Sequence, residues 1–439
     1  MQISELERKE RPVGTIQFGG GVFLRGFYDV MIAKNNKVGI SDENIFIVRS
    51  RTHEDPLAAQ NYMYTHIARD SEHQDMTLVD CISGSINPED DYEGFLRLAD
   101  DPETVRIVSN TTESGIAWED GEKPDSAHSY PARLAALIKR RMDRGLPGFL
   151  VLPCELIENN ADELRSLVLR HGKEWGFGRA FGSYVRSECA FCNTLVDRIV
   201  SGKPSPEDDF RLPYEDRLIN TSEYFHLWVI EGMPSDPRMP WLEDFNVKFE
   251  PIEKYRKLKV RLLNGAHTSL IPYALSLGIG TVGDCLADER TRRHLDACLF
   301  GEILPSLGNG SFDADEESFM NEARAYAEDV VWRFSNPFIH HKCRSIALNS
   351  IDKYRVRVLP SVLDYERLTG KPPVHLLFAL AKLIEMYKTD PPDDAKENVA
   401  FMEEKDVGDI LANREFWGTD LTRFRKYVEK YVCTEDIPE

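Results

Sequence analysis

The stretch Thr15-Ile-Gln-Phe-Gly19-Gly20-Gly21-Val-Phe23-Leu-Arg25-Gly26-Phe27 decides the fold. A short apolar run ends in three glycines. Phe23, Leu24, Phe27, Val30 and Met31 then recur at helical spacing. A strand, a glycine turn and a helix start present backbone N–H groups and a helix N-terminus to an anion, as binding of a dinucleotide pyrophosphate requires. Gly19 permits the tight turn, and Gly21 lets the backbone approach the phosphates. The third glycine of the usual fingerprint is replaced by Leu24, so the pattern is G-x-G-x-x-L. Gly19, Gly20, Gly21 and Arg25 are therefore candidate cofactor residues, with Arg25 placed to pair with phosphate.

Working outward, Ile45-Phe-Ile-Val48, Val105-Arg-Ile-Val108 and Gly148-Phe-Leu-Val-Leu152 read as buried strands. Helical patterns over 92–98 and 131–144 lie between them, and Pro131 suits a helix start. Strands alternating with helices predict a parallel, doubly wound α/β sheet, whose ligands bind beyond the carboxyl ends of the strands. Ser109-Asn-Thr-Thr-Glu113 follows one strand directly, which makes Thr111, Thr112 and Glu113 candidates for the cofactor loop. The second strand ends in Arg49-Ser-Arg51 with no acid. An acid there would take the ribose 2′-hydroxyl of NAD, whereas arginine suits the 2′-phosphate of NADP. The residues themselves thus lean to NADP or to dual use, with Arg49 as the contact.

The second half of the chain is mainly helical in pattern, over 259–277, 288–304, 316–334, 340–358, 373–388 and 420–432. We expect two domains, a dinucleotide-binding one over 1–248 and a mainly helical one over 249–439. The latter opens with Lys259-Val-Arg-Leu-Leu-Asn264-Gly-Ala-His267. On an α-helix turning about 100° per residue, Asn264 lies roughly 140° and His267 roughly 80° from Lys259, so one broad face holds all three. A lysine that exchanges a proton, beside two neutral groups that hydrogen-bond an oxygen, suits carbonyl–alcohol redox chemistry. Lys259, Asn264 and His267 are the candidate catalytic residues.

Composition bounds the rest. The chain has 439 residues, 42% of them hydrophobic, enough for a sizeable core. A net charge of −20 argues against nucleic acid and anionic membranes as partners. It also makes the basic groups around 254–261 and 340–357 candidates for holding an anionic substrate. No apolar run approaches membrane-spanning length, and the first residues lack an apolar signal core, so a cytoplasmic protein is expected. Eight cysteines in so long a chain do not make a disulfide scaffold, and Cys189-Ala-Phe-Cys192 has no second pair at zinc spacing. A site without metal is predicted. Oligomeric state is not legible.

These blocks together resemble the polyol-specific long-chain dehydrogenases, the family of mannitol dehydrogenases and hexuronate reductases. Gly19, Gly21, Phe23 and Arg25 match its G-x-G-x-F-x-R turn. Lys259, Asn264 and His267 match its K-x-x-x-x-N-x-x-H motif. Asn193 through Ile199 resembles its N-x-x-x-D-R-I segment, and Arg333 through Pro337 its R-F-x-N-P segment. The resemblance implies a Rossmann-type domain followed by a mainly α-helical one, NAD as cofactor with NADP left open, and a small sugar or sugar-acid substrate. It also implies a cofactor role for Phe23 and substrate contacts for Asn193, Asp197 and Lys353. Arg344, in the basic cluster, is added as a candidate for a substrate carboxylate. Leu156 stands where mannitol dehydrogenases carry an asparagine, and Ser345 where they carry an arginine. Both departures imply a substrate with a different oxygen pattern. A fructuronate reductase or neutral-polyol activity of the same family, and a non-catalytic dinucleotide-binding regulator, are the competing readings.

Overall fold

The computed structural model describes residues 1–49, 54–111, 115–206, 208–232, 235–239, 245–308, 314–432, 434 and 437–438. The chain divides into two compact units, Met1–Ile252 and Glu253–Glu439.

Unit 1 is built on a six-stranded sheet. Its order is Ile82–Ile86, Asn44–Val48, Val13–Phe18, Arg106–Ser109, Leu150–Pro153, Ala190–Phe191. Every pairing in it is parallel. Numbered along the chain within this sheet, that is 3-2-1-4-5-6, the doubly wound arrangement. Asn44–Val48 and Leu150–Pro153 are largely apolar because both faces of the sheet are covered. Leu150 and Leu152 join one hydrophobic cluster while Val151 joins another, and Val108 and Ile107 divide in the same way. A period of two thus feeds two cores. Tyr130–Asp143, with proline in its first turn, is one of the covering helices.

The pattern after the glycines does not make one helix. It makes Val22–Arg25 and Tyr28–Val38, broken at Gly26 and Phe27. Side chains from elsewhere capture the carbonyls there. Asn220 donates to the Val22 carbonyl at 3.0 Å, Tyr64 to that of Arg25 at 2.7 Å, and Arg198 to that of Gly26 at 2.7 Å. A Cβ on Gly26 would meet Val200 at 2.8 Å, so the break is also a close approach. Two smaller sheets complete the unit, one of Tyr64–Arg69, Gln74–Val79, Val200–Gly202 and Asn220–Glu223, the other of Thr194–Asp197, Leu227–Ile230 and Val247–Lys248.

Unit 2 is helical, packed around Gly265–Ser276 and Val374–Thr389, whose apolar residues belong to one core. Among the described residues, no helix in the chain is long and apolar enough to cross a membrane. The expected helix over 340–358 is split, because Asn349 adopts a left-handed conformation before Ser350–Arg357. Two stretches, Lys259–Asn264 and Ala297–Ile303, are π-helical. The second carries Glu302, whose buried carboxylate accepts the N–H groups of His375 (2.9 Å) and Leu376 (2.7 Å) at the start of Val374–Thr389. A carboxylate in that position satisfies orphan donors and complements the helix dipole.

Burial lifts the Glu302 carboxyl to about 7, with the backbone donors opposing. The folded protein then binds this proton more tightly than the unfolded chain, so its contribution to stability is greatest in acid. It declines as pH rises from about 4.5 to about 7. A displacement of that size corresponds to about 3 kcal/mol. Urea unfolding across pH 4–8 is expected to show wild type losing about that much stability relative to Glu302→Gln. A pH-independent difference between the two would remove Glu302 as the titrating group.

Candidate functional site

In unit 1 the carboxyl ends of the central strands meet the glycine turn. Gly19 has φ of +105°, and its N–H donates to the Val48 carbonyl at 3.1 Å. A Cβ there would strike the Asn110 carbonyl oxygen at 2.9 Å, so side chains are excluded twice over. Nothing lies within 4 Å of where a Gly21 Cβ would point, which leaves open space before the turn. A cavity opens here, lined by Gly19, Gly20, Gly21, Arg25, Arg49 and Thr111 among others. Six of the residues singled out from sequence thus share one wall. Phe23 is not in that wall and stacks on Phe27 at 5.1 Å. Thr112 and Glu113 lie outside the described residues.

Two acids that sequence reasoning passed over shape the cavity. Asp55 lines it, and its Oδ2 accepts hydrogen bonds from Ser85 at 2.5 Å and Tyr62 at 2.9 Å. Its Oδ1 is buried and has no hydrogen-bond partner. Arg49, 3.8 Å from Asp55, donates to Ser85 at 2.7 Å and to the Glu54 carbonyl at 3.0 Å. The second strand therefore does have an acid at its end in space, which corrects the reading of Arg49 and Arg51 alone. Loop folding delivers it, and strand spacing gave no signal of it. The second acid, Glu155, is buried. Its carboxylate accepts from the Ser109 hydroxyl (3.0 Å), the Thr111 N–H (2.9 Å) and the Thr111 hydroxyl (3.0 Å). Burial raises its affinity for a proton, and those donors oppose the rise. Glu155 thereby fixes the loop after Arg106–Ser109.

Below the turn, Asp29 is enclosed and accepts from Tyr64 at 3.0 Å. Burial pushes its carboxyl up to about 7, against the pull of that hydrogen bond and of Arg25. The Arg25 guanidinium rests 5.3 Å from the centre of the Tyr64 ring and faces the cavity.

In unit 2, Lys259 and Asn264 are the first and last residues of the π-helical turn, and His267 lies on the α-helix Gly265–Ser276 that continues it. This corrects the expectation of a regular α-helix. A turn closed by i→i+5 bonds brings residues five apart nearer to one face than α geometry does. Lys259 and Asn264 are five apart. The turn is anchored by Arg261, whose buried guanidinium reaches Ser361 (2.7 Å), Ser306 (3.0 Å) and Asp364 (3.1 Å). Lys257 donates to the Leu307 carbonyl at 3.0 Å, and Lys254 pairs with Glu322 at 3.0 Å. These members of the basic cluster hold the fold together.

The His267 ring is buried, stacked on Phe334 at 4.0 Å and edge-on to His341 at 5.2 Å. Burial lowers the proton affinity of His341, and the charge of Lys353 adds to this. Lys353 therefore belongs to the same neighbourhood, where its Nζ donates to the Ile346 carbonyl at 2.8 Å. Phe334 belongs to the R-F-S-N-P block, but nothing in the sequence pointed to it or to His341 as neighbours of His267. Arg344 is engaged elsewhere, with the Asp390 carboxylate (3.0 Å) and the Pro391 carbonyl (2.7 Å). Asn193 is in unit 1, where its amide caps the helix Asn160–Glu174 and donates to Asp162 (2.9 Å) and Glu231 (3.1 Å). Asp197 is buried at the end of Thr194–Asp197.

Comparison with known proteins adds independent evidence. An altronate oxidoreductase of Halalkalibacterium halodurans is 36% identical, with 95% of this chain and 89% of that protein covered. One from an Enterobacter species is 38% identical, with 97% and 94% covered. Among solved structures, a substrate-free D-sorbitol dehydrogenase superposes with a TM-score of 0.83 at 20% identity, over 98% of this chain and 95% of that one. The Pseudomonas fluorescens mannitol 2-dehydrogenase, a ternary complex with NAD and D-mannitol, gives 0.71 at 20% identity, over 96% and 91%. At that identity these two speak for the fold. The family model of the mannitol dehydrogenase Rossmann domain matches residues 13–243, and that of the mannitol dehydrogenase C-terminal domain matches 251–435. Matched by both models across nearly its whole length, the chain belongs to the mannitol dehydrogenase family.

Proposed function

We propose that this protein is an NAD-dependent oxidoreductase that interconverts D-tagaturonate and D-altronate in hexuronate breakdown. The observation that carries the substrate is the kinship with altronate oxidoreductases, at 35–38% identity over 95–97% of this chain. Segments such as Pro153-Cys-Glu-Leu-Ile157 and Leu263-Asn-Gly-Ala-His-Thr268 resemble that enzyme in wording as well as in spacing.

The cavity in unit 1 suits a dinucleotide. Gly19 admits no side chain, Gly21 faces open space, and Arg25 supplies a charge for the pyrophosphate. The unpartnered Oδ1 of Asp55 supplies an acceptor for a ribose hydroxyl and repels a 2′-phosphate, which favours NAD over NADP. Bound there, NAD supplies the hydride acceptor and its reduced form the donor. In unit 2, Asn264 and His267 donate hydrogen bonds to the substrate carbonyl and stabilise the alkoxide as it develops. Phe334 and His341 fix the plane of the His267 ring, so its N–H direction is set before substrate arrives. Lys259 gives the alkoxide its proton and takes it back in oxidation. Lys353 is the candidate partner of the uronate carboxylate.

Absorbance assays of NADH oxidation with D-tagaturonate and D-fructuronate in parallel are expected to show preference for tagaturonate. Preference for fructuronate would move the protein to the sister activity of the same family. Lys259→Ala is expected to lower turnover most. Asn264→Ala and His267→Ala are expected each to cost about 10²–10³-fold, with NADH affinity retained. A folded Lys259→Ala variant with near-normal turnover would rule out the proton role.

Cofactor choice has its own test. Asp55→Ala removes a charge-assisted acceptor, a change on the order of 10–100-fold in kcat/KM for NADH. The same variant is expected to gain activity with NADPH, because Arg49 then meets the 2′-phosphate unopposed. Unchanged NADH kinetics would place the ribose elsewhere.

A further inference from the structure

Three captured carbonyls hold the short helix after the glycines, and their donors differ in kind. Val22 is served by the Asn220 amide and Gly26 by the Arg198 guanidinium, neither of which changes charge near neutrality. Arg25 is served by the Tyr64 hydroxyl, which has a second neighbour. That hydroxyl lies 2.7 Å from the Arg25 carbonyl oxygen and 3.0 Å from Oδ2 of Asp29. A phenol carries a single proton. With Asp29 ionised, two acceptors compete for it. With Asp29 protonated, the carboxyl donates to the Tyr64 oxygen and Tyr64 donates to Arg25, so both bonds are made at once.

The surroundings favour the second arrangement. Asp29 and Tyr64 are both fully buried, where a charged carboxylate is costly. Burial pushes the Asp29 carboxyl up to about 7 and holds the Tyr64 phenol well above its usual range, so the carboxyl is the group that titrates. The neighbours keep a fixed charge near neutrality. Arg25, on Val22–Arg25, is the cation that draws on the Asp29 proton, and Gln17, on Val13–Phe18, is neutral. The Cys81 thiol donates to the Asp29 carbonyl at 3.4 Å, and burial keeps it and the Tyr28 phenol protonated. His66, on the same face of Tyr64–Arg69 as Tyr64, bonds Ser222 at 3.0 Å and is kept neutral by burial. Further along the helix of Asp29, Lys34 pairs with Asp75 of Gln74–Val79. Among these described residues, Asp29 is the one that changes charge around pH 7.

Arg25 also connects Asp29 to the cavity, because the guanidinium that stabilises the Asp29 carboxylate faces the cavity as well. A pyrophosphate seated there engages that positive charge, and the carboxyl then holds its proton more tightly. By reciprocity, a proton on Asp29 favours the bound anion. On the reading of the glycine-turn cavity as the dinucleotide site, on which this inference rests, we propose that Asp29 and Tyr64 are positioning residues of the cofactor turn: a neutral Asp29 donates to Tyr64, Tyr64 donates to the Arg25 carbonyl, and dinucleotide binding takes up the proton that this arrangement needs.

Two titrations of the full chain with NADH supply the test. By fluorescence, wild-type affinity is expected to fall roughly three- to tenfold from about pH 6 to about pH 9, the worth of one hydrogen bond. Asp29→Asn keeps a donor to Tyr64 but cannot ionise, and it is expected to hold the wild-type acid-side affinity throughout. By calorimetry near pH 7, in two buffers of different ionisation enthalpy, wild type is expected to take up a fraction of a proton on binding, a result that does not depend on any variant folding. Asp29→Asn is expected to take up none. Arg25→Ala reports on the site itself and is expected to weaken NADH binding about tenfold or more. That weakening, together with a flat wild-type profile and no proton uptake, would overturn the role of Asp29 while leaving the cavity as the cofactor site. Unchanged affinity in Arg25→Ala would overturn both. A pH profile as steep in Asp29→Asn as in wild type would overturn the role of Asp29 alone.

Discussion

Unit 1 depends on one constraint: the strand Val13–Phe18 has parallel neighbours on both sides, and the chain builds outward on one side to Ile82–Ile86 before crossing back to place Arg106–Ser109 on the other. Where the order reverses, the loops beyond the carboxyl ends diverge, and a crevice is unavoidable. Gly19 sits at that point because the Asn110 backbone leaves no room for a Cβ, while its N–H is tied to the Val48 carbonyl and its φ is positive. The cavity is thus a product of topology first and of residue choice second.

Buried polar groups then hold the loops in place. Glu155 gathers Ser109 and Thr111, Arg198 closes the break at Gly26, Arg261 pins the π-helical turn, and Glu302 seats a central helix of unit 2. Each is a charged side chain surrounded by partners, as burial demands. In both units the elements nearest the candidate residues are thus held by directional bonds as well as by apolar packing. Such bonds fix position more sharply than a hydrophobic contact does, which suits groups that must meet a ligand to within a fraction of an ångström.

Much of this was legible in the sequence. The apolar runs at 45–48, 105–108 and 148–152 read as strands because parallel sheets are buried on both faces, and the triple glycine marked the turn. The strand Ile82–Ile86 gave little signal, since Ser-Gly-Ser at its centre has low strand preference and its pairing with Asn44–Val48 comes from the backbone. Asp55 was invisible because a loop carries it to the strand end, and no period encodes that path. The motif Lys259, Asn264, His267 could be quoted from the sequence. Its π geometry could not, because an apolar, helix-compatible run looks the same in either winding. His341 and Phe334 met His267 only once the helices had packed.

The π-helical turn also has a bearing on how this site varies among related chains. Such a turn holds one residue more than an α turn over the same helix. Lys259 is therefore out of register with the helix Gly265–Ser276 by that single residue, an offset of about 100° around the axis. In a related chain that kept these residues but wound them as a regular α-helix, the amine would lie roughly 80° from His267, although no side chain's chemistry had changed. The direction of the Lys259 amine is thus set by the winding of this turn as well as by its residues.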